Sequence, residues 1–180
     1  LVVSVPSGNF GNITAGIFAY WMGLPIKRFI AANNRNDVFL EYLQTGIYTP
    51  RPSVPTIANA MDVGNPSNFA RILDLFGSKE NPHQAICELI RGYRFTDEEI
   101  GETMKQTYKQ TGYILDPHGA CGYQALIENQ LTPNETGVFL ETAHPAKFKG
   151  TVDAILDADI DIPEKLKAFM QGEKQSIELS

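Results

Sequence analysis

The chain has 180 residues, 43% hydrophobic and 20% charged, with a formal net charge of -6. That is enough for a real core in one domain or slightly more, and the acidity argues against non-specific nucleic-acid binding, which needs clustered Lys and Arg. No apolar run approaches the ~20 residues of a membrane span, and Cys87 and Cys121 form no C-x-x-C pair, so the expectation is a cytoplasmic protein with no nucleic-acid or membrane partner.

The chain opens on LVVSV, which already reads as a buried strand, with Leu1 where an initiator Met would stand and no leader pattern. The expectation is a portion of a longer polypeptide that starts within a domain. VPSGNFGNITAG follows at 5–16, placing Gly8, Gly11 and Gly16 among small polar residues. Apolar residues at 13, 17, 20, 21 and 24 then predict an amphipathic helix over roughly 12–22, stopped by Gly23 and Pro25. RFIAA at 28–32 reads as a second strand, so the first 32 residues form a β-turn-α-turn-β unit suited to a parallel crossover.

Residues 37–44 predict a helix ended by Gly46, and 48–56 a Pro-rich extended link. Phe69, Ile72, Leu73 and Phe76 recur at helical spacing after the cap candidates Ser67 and Asn68, and a further helix is predicted over 83–92. Thr96 and Glu99 make a capping box for a helix running to about Gln110. The turn DPHG precedes a helix over 119–130, Val138 to Leu140 a strand, and 147–157 and 163–170 two last helices, with a frayed tail after Gly172. Strands alternating with helices predict an α/β fold with a mainly parallel sheet, whose ligands bind beyond the carboxyl ends of the strands. PSGNFGN and ETAHP both sit at such ends.

The glycine loop can cradle an anion on backbone N–H groups at a helix start, or it is simply a tight turn. The dinucleotide fingerprint G-x-G-x-x-G is missing, Asn33 and Asn34 stand where an acidic ribose partner is expected, and Ile17 follows Gly16 where a Walker loop needs Lys. A small phosphomonoester remains. His83, His118 and His144 with the two cysteines have no metal-ligand spacing, and thiol chemistry at Cys121, three residues after His118, is a minor alternative. Thr142, His144 and Lys147 cluster in ETAHPAKF as a site or a solvated loop, and Asp62, Asn65 and Asn68 are either polar site residues or caps for the next helix.

Five stretches in this order, PSGNFGNITAG (6–16), GLPIKRFIAANNRND (23–37), NAMDVGNPSNF (59–69), DPHGACG (116–122) and ETAHPAKF (141–148), resemble the threonine synthase family in its longer bacterial and fungal form. The resemblance covers residues 1–150. It implies part of a fold-type II, tryptophan-synthase-β-like domain: residues 1–150 as the carboxyl-terminal part of the large cofactor domain, and 151–180 as terminal helices and tail. It also implies pyridoxal 5'-phosphate as cofactor and O-phosphohomoserine as substrate, converted with water to threonine and phosphate. Gly8, Asn9, Phe10, Gly11 and Asn12 then hold the cofactor phosphate, Thr142 lies at the pyridine nitrogen, and His144 and Lys147 stand on the substrate side.

The family's Schiff-base lysine belongs to an FKD-like stretch upstream of the glycine loop, and this chain has none. The isolated chain is therefore expected to be inactive without its upstream part, and to expose apolar surface through which copies can pair. A non-catalytic module that binds a phosphate ligand, or regulates through it, is the alternative. Gly119 stands where relatives commonly carry Thr, and Asn12 where some carry Asp.

Overall fold

The computed structural model describes residues 1–173, 176 and 177, so most of the tail expected to fray lies outside the described residues. Four parallel strands, β1 (Val2–Pro6), β2 (Arg28–Asn33), β3 (Ile90–Arg94) and β4 (Gly137–Phe139), form a sheet in the order β3-β2-β1-β4. β1 pairs with β2 from Val2↔Arg28 to Pro6↔Ala32, and with β4 from Val2↔Gly137 to Ser4↔Phe139.

The period-two pattern of the strands separates two cores, as expected of a sheet covered on both faces. On one face Phe29 and Ala31 join Ile13 and Ile17 of α1 (Gly11–Trp21), Phe39 of α2 (Val38–Thr45), Ile72 of α3 (Phe69–Phe76) and Ile86 of α4 (Pro82–Leu89). On the other, Ile30 and Ala32 join Met104 of α5 (Asp97–Thr111), Ala120 and Ala125 of α6 (Pro117–Glu128) and Val152 of α7 (Lys149–Leu156). A last helix, α8 (Glu164–Met170), starts behind Pro163. Ser4, polar inside β1, is satisfied by donating to the Gly122 carbonyl at 2.6 Å.

Three boundaries differ from the sequence expectation. The helix expected over 83–92 stops at Leu89, and Ile90–Arg94 becomes β3, beside β2. A short apolar run does not separate strand from helix by periodicity; here Gly92 has no Cβ because Leu40 and Leu43 of α2 would lie within 3.0 Å of it. DPHG is the start of α6: the Asp116 side chain accepts the His118 N–H, with Pro117 in the first turn. The helix expected at 147 starts at Lys149, after a 3-10 turn over Pro145–Phe148. The capping box of α5 is formed, with Thr96 N–H donating to Glu99 at 2.8 Å and Glu99 N–H to Thr96 at 3.3 Å. The apolar stripe of α1 is covered at Ile13 and Ile17, whereas Phe18, Trp21, Met22 and Leu24 are exposed.

Asp62 ties the long link after α2 to the end of β2 and caps no helix. One of its oxygens accepts from Asn34 at 2.8 Å, Asn36 at 3.0 Å and the Thr56 hydroxyl at 2.7 Å; the other accepts the Thr56 N–H at 3.0 Å. Asp62→Asn puts an NH2 group among these donors. It is expected to destabilise the chain by about 2–4 kcal/mol in urea denaturation, and an unchanged midpoint would show the knot to be dispensable.

Candidate functional site

β2 lies on one side of β1 and β4 on the other, so the carboxyl end of β1 is a topological switch point, where loops diverge and leave a crevice. A cleft of about 290 Å³ opens there, lined by the run Pro6 and Gly8–Ile13, by Ala60 and Met61, by His118, and by Thr142, Ala143, Lys147 and Phe148. The cofactor-site residues expected from the sequence, Gly8, Asn9, Phe10, Gly11, Asn12 and Thr142, thus line one cavity with Lys147. His144 does not: it faces a separate depression with Tyr113 and Ile160, and its Nδ1 accepts the Ala146 N–H at 3.1 Å, capping the Pro145–Phe148 turn.

The loop is built as an anion cradle. Phe10, immediately before α1, takes a left-handed conformation (φ 60°, ψ 17°), caps the helix with no side chain, and buries its ring against Phe39, centroids 4.5 Å apart. That anchor turns the chain so that the first turn of α1 faces the cleft. Among the described residues, nothing accepts from the backbone N–H groups of Gly8 through Ile13, so an 11-residue helix presents its positive end and free donors together. From behind, the Asn9 Oδ1 accepts the Ser67 N–H at 2.6 Å and Asn68 donates to the Asn9 carbonyl at 2.8 Å. A Cβ on Gly8 would lie 2.7 Å from the Met61 Cα and 3.0 Å from the Ala60 oxygen, both backbone. A phosphate group fits such a donor set.

The spacing of the sequence singled out His118 only as a possible metal or thiol partner, yet it lines the cleft at 2% exposure. Its Nδ1 lies 2.5 Å from the Asp116 carboxylate, its Nε2 accepts the Ala60 N–H at 3.1 Å, and its ring packs on Phe148 with centroids 4.6 Å apart. Glu141, missed altogether, accepts the Asp116 N–H at 2.9 Å. The other oxygens of Asp116 and Glu141 are buried without partners, and a proton on Glu141 directed at Asp116 satisfies both. Burial pushes the Glu141 carboxyl up to about 8, against the pull of the Asp116 N–H and with help from the Asp116 carboxylate. Burial also works to raise Asp116, but hydrogen bonds from His118 and Glu141 hold it below the ordinary carboxylate range. Glu141 enters the space that a Cβ on Gly119 would fill, its Oε2 2.0 Å from that position. The bare Gly119 and the half-buried Glu141 are therefore one feature.

Cys121 lies fully buried, its thiol pushed up by burial, and is no nucleophile. Among the described residues no group of His, Cys, Asp and Glu is placed to hold a metal, and no helix is long and apolar enough to cross a membrane.

The family model of pyridoxal-phosphate dependent enzymes matches residues 2–142, and that of the threonine synthase C-terminal region residues 119–180. The chain is similar to threonine synthase of Haemophilus influenzae, 48% identical over 171 residues, which is 95% of this chain and 39% of that protein. Among solved structures, threonine synthase of Escherichia coli superposes with a TM-score of 0.84 at 47% identity, covering 93% of this chain and 38% of that one. The pyridoxal-phosphate-bound threonine synthase of Brucella melitensis superposes at 0.89 with 33% identity, covering 97% and 42%. The chain thus spans about two fifths of the length of these relatives.

The raised pKa of Glu141 is directly testable. An unfolded glutamate titrates near ~4.3, so between about pH 5 and 8 the native chain holds a proton that the unfolded chain has released, and stability falls as pH rises. The contribution is complete below the unfolded value and gone above the native one. Thermal denaturation across that range is expected to show a falling midpoint for the wild-type chain and a much flatter one for Glu141→Gln; parallel curves would mean that Glu141 is ionised throughout.

Proposed function

The chain belongs to the pyridoxal-phosphate dependent enzyme family, and from that premise we propose that its cleft holds the phosphate of pyridoxal phosphate as part of a threonine synthase. The observation that carries this reading is the row of free N–H groups from Gly8 to Ile13 at the start of α1, facing Thr142 across the cleft. Bound there, the cofactor supplies an electron sink for carbanions formed beside a substrate's amino group.

The residues of this chain divide the remaining work. The Gly8–Asn12 backbone and the end of α1 neutralise the phosphate without a cation, so affinity comes from fixed dipoles that need no reorganisation. Thr142, on the exposed loop after β4, offers its hydroxyl to the pyridine nitrogen; unlike a carboxylate, a hydroxyl does not compel that nitrogen to hold a proton. Lys147, also exposed at the cleft, carries the positive charge suited to the phosphate of O-phosphohomoserine. His144 serves by capping the turn that carries Lys147. For the whole protein the proposed reaction is O-phosphohomoserine and water to threonine and phosphate, with the cofactor-bearing lysine in the length of the relatives that this chain does not span.

Two outcomes test the reading. Pyridoxal phosphate and O-phosphohomoserine added to the isolated chain are expected to yield no threonine, and appreciable turnover would place the missing nucleophile within these 180 residues. Gly8→Ala, which drives a methyl group into the Met61 backbone, is expected to weaken cofactor binding at least tenfold, the effect of roughly 1.4 kcal/mol. Unchanged binding would remove the loop from the site.

A further inference from the structure

The Asn59–Met61 turn is the wall against which the phosphate loop lies: only a residue without Cβ fits at position 8, because the Met61 and Ala60 backbones leave no space. On its far side the turn is followed by Asp62 and its polar knot. On the cleft side it receives a hydrogen-bond partner from a distant part of the chain, the Ala60 N–H donating to the His118 Nε2 at 3.1 Å.

We propose that His118 is a positioning residue of the phosphate cradle: bonded at Nδ1 to the Asp116 carboxylate, it holds the Ala60–Met61 backbone against Gly8 through Nε2. The inference rests on the reading of Gly8 through Ile13 as the phosphate site. Because Nε2 accepts from Ala60, the ring proton sits on Nδ1 and is donated to Asp116 at 2.5 Å. Both nitrogens are committed and Phe148 packs on the ring, so His118 neither turns toward a substrate nor exchanges a proton with one. A second proton would set an N–H donor on Nε2 against the Ala60 N–H, a clash of donors in a buried place. Asp116 is suited to set this tautomer, since it is fully buried, accepts the His118 main-chain N–H at 2.8 Å, and is itself fixed by donating its own N–H to Glu141 at 2.9 Å. The start of α6 thereby joins the Asn59–Met61 turn, through His118, to the loop after β4, through Glu141.

The test compares the 180-residue chain with His118→Gln, His118→Asn and His118→Ala. A Gln carbonyl reaches roughly where Nε2 stands, whereas an Asn carbonyl reaches only as far as Nδ1. The ligand is pyridoxine 5'-phosphate, which has the ring and phosphate but no aldehyde to react with surface lysines. Calorimetric titration is expected to show affinity weakened about tenfold in His118→Ala and His118→Asn, with Ala60 amide exchange accelerated by a similar factor and both recovered in His118→Gln. Folded Ala and Asn variants with native exchange and affinity would overturn the inference, as would failure of Gln to recover either property. Should those variants not fold, ring nitrogen shifts of the wild-type chain decide: a bare Nε2 supports the positioning role, and a protonated Nε2 overturns it. A wild-type chain that takes up no pyridoxine 5'-phosphate overturns the cradle reading and the role of His118 in it, whereas tight binding indifferent to His118 overturns the present inference alone.

Discussion

Everything at the site depends on β1 being paired on both edges by parallel strands. A strand so placed has no free edge and is covered on both faces, so a ligand can approach its backbone only beyond its carboxyl end. Its neighbours run the same way, so the loops after β1 and β4 are delivered to that end together, one with the free amides and the other with Thr142 and Lys147. The site is a consequence of strand direction before it is a consequence of any side chain.

The second constraint is buried charge. Asp116 sits fully buried near a second carboxyl and a histidine, an arrangement costly for isolated charges and tolerable only when each is answered by a hydrogen bond. The answer is a set of hydrogen bonds: Asp116 accepts from the His118 ring and from the His118 main-chain N–H, and donates its own N–H to Glu141, whose carboxyl burial pushes up to about 8. Buried polar networks are rigid when every member is satisfied. Here such a network stands behind two pieces of irregular backbone, a 3-10 turn and a post-strand loop, at the place where a phosphate has to be met with small tolerance.

Much of this was legible in the residues. PSGNFGN marked the phosphate loop through its glycines and its place between a strand and a helix, and Thr96 with Glu99 marked the start of α5, because both are local patterns in which neighbours answer one another. β3 was hidden because IRGYR continues an apolar helix without interruption; what makes it a strand is the edge of β2 and the leucines of α2 against Gly92. His118 and Glu141 were hidden for another reason. His118 follows a D-P pair that reads equally as a turn, and its partner Ala60 lies 58 residues away; Glu141 is one more acidic residue in a loop until Gly119 is found beside it.

The sequence by itself determined the alternation of strands and helices, the glycine loop and its suitability for a phosphate, and through five ordered motifs the family, because these are properties of near neighbours and of residue types. Only the tertiary structure decided which loops meet, that Lys147 shares the cleft while His144 turns from it, and that a half-buried glutamate and a histidine stand behind the cradle. Those outcomes depend on burial and on partners far apart in the chain, and desolvation acts on a group only once the fold has enclosed it.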